Sequence, residues 1–225
     1  MAGAGLTVAC VLWVGDFRGR AYTVDYAHRL RSMCARRLSV PHRFICLSNC
    51  DVPDVDVVPL ADPRRVGWWA KTELFRPGAL PPGRVVYLDL DIIVTGDLDA
   101  IASHPLPRGS LGAAPPSYRW HGAAGGPSGG RGIVDRVQST CLTFYADDLA
   151  HLWSEWSPAV ADRLRGDQDW LGERQPAVTA LPGAWFAKLR DCTGGAPEGV
   201  RVVASMPWKN HVAAQRFSWV AREWT

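Results

Sequence analysis

Apolar residues run without alternation through "LTVACVLWV", a pattern that predicts a first strand buried on both faces. The next stretch, "AYTVDYAHRLRSMCARRL", changes period. Tyr22, Tyr26, Leu30, Met33, Cys34 and Leu38 recur at helical spacing, while Arg29, Arg36 and Arg37 fall largely elsewhere on the wheel. "PHRFICLSN" reads as a second strand and "DVDVVPL" as a short third. "WWAKTELFRP" predicts a helix stopped at Pro77 and Gly78, after which "PPGRVVYLDLD" returns to strand. Further on, "VQSTCLTFYA" reads as a strand and "DDLAHLWSEW" as a helix with an Asp cap. "PAVADRLRGDQDWLGERQ" supplies more helix and "GVRVVASM" a late strand. The alternation predicts an α/β domain over residues 1–225, with a mostly parallel, Rossmann-like central sheet flanked by helices.

One stretch breaks the logic of burial. In "VVYLDLDIIVTGDLD" a run that reads as buried strand ends on Asp89 and Asp91, separated only by Leu90. An isolated ionised carboxylate in a core costs several kcal/mol or changes protonation state. Either a positive group stands opposite, or the strand ends at a wet cleft. Ligands in α/β sheets bind outside the carboxyl ends of the strands, and these two aspartates lie at such an end.

Composition narrows the classes. The chain has 225 residues, is 47% hydrophobic and carries a formal charge of only +3, which excludes a polyanion binder of histone type. Its six cysteines show no paired Cys-x-x-Cys spacing, and buried free thiols in a reducing compartment follow. No segment approaches the roughly 18–20 apolar residues of a membrane span, and the start lacks the basic region of a signal peptide. A cytoplasmic protein is expected. Eleven tryptophans are many for this length, and several stand beside Arg or Lys, as in "GWWAK", "PWKNH" and "SWVAREW". Packing accounts for most, with stacking on sugar rings or bases as the functional alternative. Residues 104–134 are dense in Gly and Pro and hold three Arg and two His without an acid, which reads as a mobile loop or a lid over an anionic ligand.

Two carboxylates at Asp-x-Asp spacing form a ligand set for a hard divalent cation that leaves positions open for phosphate. Haloacid-dehalogenase-type phosphatases use Asp-x-Asp-x-Thr near the N-terminus, but Ile93 stands where the Thr belongs. A nucleotidyltransferase calls for an early glycine-rich phosphate loop, and the "GAG" at 3–5 precedes the first strand. A nucleotide-sugar transferase, whose metal neutralises a diphosphate leaving group, fits better.

"KTELFRP…VVYLDLDIIVTGDLD" followed by "GDQDWL" resembles the glycogenin-like family 8 glycosyltransferases and their small bacterial and phage relatives. The resemblance runs from "PHRFICLSN" to the tail and is strongest over 67–99 and 166–172. It implies the GT-A fold, with residues 1–103 as the nucleotide-sugar half and 104–225 as the acceptor half. It implies Mn²⁺ or Mg²⁺ on Asp89 and Asp91, a UDP-sugar donor, and Lys71 approaching that donor. Leu90 lies between the two ligands in the donor site. Asp167 and Gln168 match the pair that contacts the donor sugar, with Gln168 near the anomeric carbon. Trp13, Asp16 and Tyr22, after the first strand, would hold the uridine. The family's late His-x-Gly-x-x-Lys-Pro reads here as "VVASMPWKNHV". That keeps Lys209 and puts Ser205 at the position of the third metal ligand, with His211 as the other candidate. The family's Asn-Ser-Gly reads Gln138-Ser139-Thr140.

The resemblance also implies transfer with retention, the departing phosphate taking the acceptor proton. Asp169 is the first suspect as base if the reaction inverts. For the acceptor, a hydroxymethylated base such as 5-hydroxymethylcytosine in phage-type DNA, in the host cytoplasm, stands level with a saccharide or small molecule. The tail tryptophans with their Arg and Lys neighbours would be the stacking surface. A non-catalytic nucleotide-sugar-binding module is the remaining alternative.

Overall fold

The computed structural model describes residues 5–18, 22–116, 122, 137–175, 177–205 and 210–225, without the side chains of 210–212. Strand β1 (Gly5–Leu12) lies inside a seven-stranded sheet that also holds β2 (His42–Ser48), β3 (Asp56–Pro59), β4 (Gly83–Leu88), β6 (Leu111–Ala114), β7 (Gln138–Tyr145) and β8 (Val178–Ala180). The order is β3-β2-β1-β4-β7-β6-β8. The first four run parallel, β7 pairs antiparallel with both β4 and β6, and β8 is parallel to β6. A second, three-stranded sheet has the order β5-β10-β9, from β5 (Ile92–Val94), β9 (Phe186–Lys188) and β10 (Val202–Ala204). The α/β, mostly parallel architecture expected from the pattern is the one observed.

Strand β1 is apolar on both faces because each face meets a core. Val8, Cys10 and Leu12 pack into one cluster with Tyr26, Leu30, Met33 and Cys34 of α1 (Val24–Arg37). Ala9 and Val11 point into the other, with Ile45, Leu47, Val85 and Tyr87. The polar side of α1 is not simply solvated. Arg29 donates to the Trp224 carbonyl (2.8 Å) with its guanidinium 4.4 Å over the Trp224 ring, and Arg37 pairs with Glu223 (2.8 Å). These arginines clamp the C-terminal helix α7 (Ser218–Glu223) onto α1.

Several expectations change. "WWAKTELF" forms a 3₁₀ helix, Gly67–Phe75, not an α-helix. Thr72 turns its hydroxyl back onto the Trp69 carbonyl (2.7 Å), which favours the tighter turn. Its anchor is Glu73, fully buried and held by Arg76 (2.7 Å), Arg65 (3.5 Å), the Trp153 indole and the amides of Ala61 and Asp62. Past Tyr145, the expected long helices are short: α3 (His151–Ser154), α4 (Pro158–Arg163) and α5 (Asp167–Arg174). Trp219 and Trp224 are core residues (7% and 1% exposed), so these two offer no stacking surface, and Trp208 lies outside the described residues. Within the expected loop 104–134, residues 111–114 are strand β6, while 117–121 and 123–134 lie outside the described residues. All six cysteines are free thiols. Among the described residues no helix is long and apolar enough to cross a membrane.

Candidate active site

The chain fills one side of β1 with β2 and β3, then crosses to the other side to lay down β4. The seam between β1 and β4 is therefore a switch point, where side chains leaving the strand ends open onto a crevice. Because β1 and β4 are parallel and β7 runs against them, Trp13, Asp89 and the start of β7 meet at one edge. There they line a cavity of about 1050 Å³.

Asp89 continues the ladder, its amide donating to the Thr140 carbonyl (3.0 Å). Leu90 and Asp91 then turn the chain out of the large sheet, and β5 begins the small one. The aspartates share the cavity through this passage between sheets, not through strand pleat as their spacing suggests. Leu90 is buried in the core and also lines the cavity.

Lys71, on the 3₁₀ helix, reaches between carboxylates. Its Nζ lies 2.8 Å from Asp89 Oδ1 and 3.2 Å from Asp167 Oδ2, and donates to Ser139 Oγ (3.1 Å). Burial opposes the Lys71 charge, but Asp167 and Asp89 outweigh it and hold the ammonium above its usual range. Tyr87 donates its phenol to Asp89 Oδ1 (2.5 Å), and Tyr22 donates to Asp91 Oδ2 (3.0 Å). Asp91 is pushed up to about 7, first by burial and then by the neighbouring Asp89 charge, with Lys71 and Tyr22 pulling the other way. Asp167 opens α5; its Oδ2 is buried without a well-aligned hydrogen bond despite the nearby ammonium. Gln168 lines the same cavity. Asp169 is taken by Arg165 through both carboxylate oxygens (3.0 Å each).

The sequence candidates Trp13, Tyr22, Lys71, Asp89, Leu90, Asp91, Asp167, Gln168 and Ser205 are thus brought together. Asp16 is exposed and is not brought to the cavity with them. Lys209 and the side chain of His211 lie outside the described residues. Ser205 donates its amide to the Asp91 carbonyl (3.3 Å). Sequence reasoning missed Tyr87, two residues before Asp89 on the same strand, and the aromatic wall of Phe17 and Trp68. Phe17 packs edge-on to Trp68 (4.8 Å). Gly67, at φ +58°, is where a side chain would meet the Phe17 ring at 2.2 Å. A glycine beside paired tryptophans, Gly67-Trp68-Trp69, was the signal in the sequence for that wall.

Among the described residues no three or more His, Cys, Asp or Glu cluster as a complete metal cage. The donor set nonetheless fits a hard divalent cation. Two carboxylates crowd one buried corner, one of them driven toward neutrality, and a small cation held by one or two carboxylates completes its shell with substrate phosphates and water.

No family model and no curated protein matches the chain. Solved structures match in fold. Galactosyltransferase LgtC, in complex with donor and acceptor sugar analogues, aligns at TM-score 0.62 and 13% identity over 97% of this chain and 96% of LgtC. The glycosyltransferase GlyE of Streptococcus pneumoniae TIGR4 aligns at 0.62 and 15% identity, over 98% of this chain and 63% of GlyE. Mouse xyloside xylosyltransferase 1 aligns at 0.52 and 14% identity, over 88% of this chain and 96% of that one. The likeness establishes the fold as that of the GT-A glycosyltransferases.

Proposed function

We propose that the protein is a metal-dependent hexosyltransferase, moving a sugar from a UDP-sugar to a hydroxyl acceptor with retention, on a glycogenin-like family 8 plan. The observation that carries this is the convergence of Asp89, Asp91 and Asp167 around Lys71 at the switch-point cavity. LgtC, of the same fold, was solved with donor and acceptor sugar analogues, which supports sugar transfer, and the resemblance to family 8 enzymes is what assigns Gln168 to the donor sugar.

A divalent cation, Mn²⁺ or Mg²⁺, supplies Lewis-acid stabilisation of the leaving diphosphate when bound. Asp89 and Asp91 would hold it, with Tyr87 and Tyr22 fixing their carboxylates. Trp13, Phe17 and Trp68 offer faces to the nucleoside. Asp167 lines the cavity with its Oδ2 already against Lys71, and we place its carboxylate beside a hydroxyl of the donor sugar.

Among the described residues, the two carboxylates beside Gln168 support retention. Asp169 is locked by Arg165 and Asp167 is shared with Lys71, so neither is a free base for the acceptor. The acceptor oxygen forms its bond to the anomeric carbon as the old carbon–oxygen bond breaks. The electron pair stays with the UDP phosphate, and that oxygen receives the acceptor proton. We assign residues 1–103 to the donor half and 104–225 to the acceptor half. Free thiols throughout suit a reducing cytoplasm, the host's if the chain is phage-encoded.

A saccharide or small-molecule hydroxyl is the acceptor we favour. A hydroxymethylated base in DNA is the second reading, supported by the arginines at the cavity rim. The test is UDP release with Mn²⁺ over a panel of UDP-sugars, with and without hydroxymethylcytosine DNA, against an Asp89→Ala control. Release that needs Asp89, with the anomeric configuration of the donor kept in the product by NMR, is the expected result. UDP binding without release from any donor would instead assign a non-catalytic binding module.

A further inference from the structure

The cavity has two electrostatic halves. Its buried floor carries the aspartates. Its rim brings together Arg165 from the turn before α5, Lys188 at the end of β9, Arg190 just beyond it, and Arg216 at the end of α6 (Asn210–Arg216). Arg165 is neutralised by Asp169, and Arg190 stands 3.7 Å from Asp191. Among the described residues, Lys188 and Arg216 have no carboxylate within 4 Å, and Arg216 rests only over the Phe217 ring. Several like charges around one opening repel one another unless something negative sits between them. A chain of net charge +3 has no general excess of cations to scatter there.

These rim cations stand apart from the carboxylate pair. Ile92, next to Asp91, is the register partner of Ala204, and Ala204 that of Lys188. At roughly 4.8 Å per strand spacing, the Lys188 backbone is about 10 Å from Ile92 across the small sheet. Lys188 therefore rises from the strand of the small sheet farthest from Asp91, and the exposed Arg216 lines the same cavity from α6.

We propose that this part of the cavity binds an acceptor carrying a phosphate group, with Lys188 and Arg216 as its recognition residues and Arg190 in support. The inference rests on the donor assignment of the floor. The phosphate arrives as a phosphomonoester on a sugar or as the phosphodiester of a nucleic acid, and Lys188 and Arg216 supply the same chemistry to either.

The test uses the full chain with MnCl₂ and saturating UDP, titrated calorimetrically with glucose, glucose 6-phosphate or an eight-nucleotide oligo-dT. We expect glucose 6-phosphate, the oligonucleotide, or both to bind at least tenfold tighter than glucose, with affinity falling as salt rises. In a Lys188→Gln/Arg216→Gln double variant that preference should disappear while UDP affinity stays within about twofold. Both substitutions are on the cavity surface and leave the core untouched. Binding of the sugar phosphate alone identifies a phosphomonoester acceptor, and binding of the oligonucleotide alone a phosphodiester one. Equal, salt-insensitive binding of glucose and glucose 6-phosphate, with no oligonucleotide binding, overturns the inference. So does a variant that loses UDP affinity in step, because the rim would then serve the donor. No UDP binding by the wild type overturns the glycosyltransferase reading itself, and is seen before any acceptor is added.

Discussion

Replacing Lys71 with methionine removes the ammonium that sits between Asp89 and Asp167 and keeps the hydrophobic stem. Lys71 is 16% exposed, Asp167 8% and Asp89 18%, so water has little access to take over its role. Breaking a buried ion pair by deleting one partner costs about 3–5 kcal/mol, because the remaining charge is left without compensation. For a chain of this size that corresponds to a fall in Tm of roughly 10 °C. The loss should be larger at pH 8 than at pH 5, since Asp91, near 7 with Lys71 beside it, is a third carboxylate that ionises over this range and loses the Lys71 attraction in the variant. Millimolar Mn²⁺ should recover part of it by placing positive charge beside the same carboxylates, and should raise the variant's Tm more than the wild type's. Differential scanning calorimetry at two pH values, with and without Mn²⁺, reads all of this. A Lys71→Met variant that melts within about 2 °C of wild type at pH 8 without metal would show that the carboxylates are solvated, and the account of the site would fail with it.

Asp91→Asn tests the neighbouring group with the opposite sign. The carboxyl's ordinary value is 3.8 and its folded value about 7, so between these the folded state binds more protons than the unfolded one. Metal-free stability then falls as pH rises from about 4 to 7, by a few kcal/mol. Asp91→Asn should flatten that slope, and a metal-free wild type that melts at the same temperature at pH 5 and 8 would contradict it. Glu73→Gln should lower stability by about 3–5 kcal/mol in urea titrations, since it leaves Arg65 and Arg76 facing a neutral amide in a fully buried corner. Gly67→Ala should cost at least about 1 kcal/mol for the positive φ and also displace Phe17. UDP affinity should fall with it, and unchanged affinity would remove Phe17 from the nucleoside wall.

Apolar runs made β1, β4 and the middle of β2 legible, because a strand covered on both faces buries successive side chains, while β7 reads as a strand despite its buried Ser139 and Thr143. The three-residue strands β5, β9 and β10 were largely invisible; the late strand's three residues fell inside a longer expected one, and the small sheet they build did not register. A segment that short carries no period, and the pairing partners of β5 lie more than a hundred residues away in the chain, Ile92 with Ala204 and Val94 with Val202. The 3₁₀ form of Gly67–Phe75 was equally hidden, since its anchor, Glu73, depends on Arg65 and the Trp153 indole arriving from elsewhere.

The sequence by itself determined that two carboxylates end a strand read as buried, because a continuous apolar run leads straight into them, while the resemblance to family 8 glycosyltransferases implied that Lys71, Asp167 and Gln168 belong with them. Only the tertiary structure decided which charges meet. It put Lys71 on Asp89 and Asp167, removed Asp169 to Arg165, buried Trp219 and Trp224, and left Lys188 and Arg216 at the rim. Electrostatic roles depend on distance and desolvation across the sheet, and neither is encoded in the local run of residues around each charge.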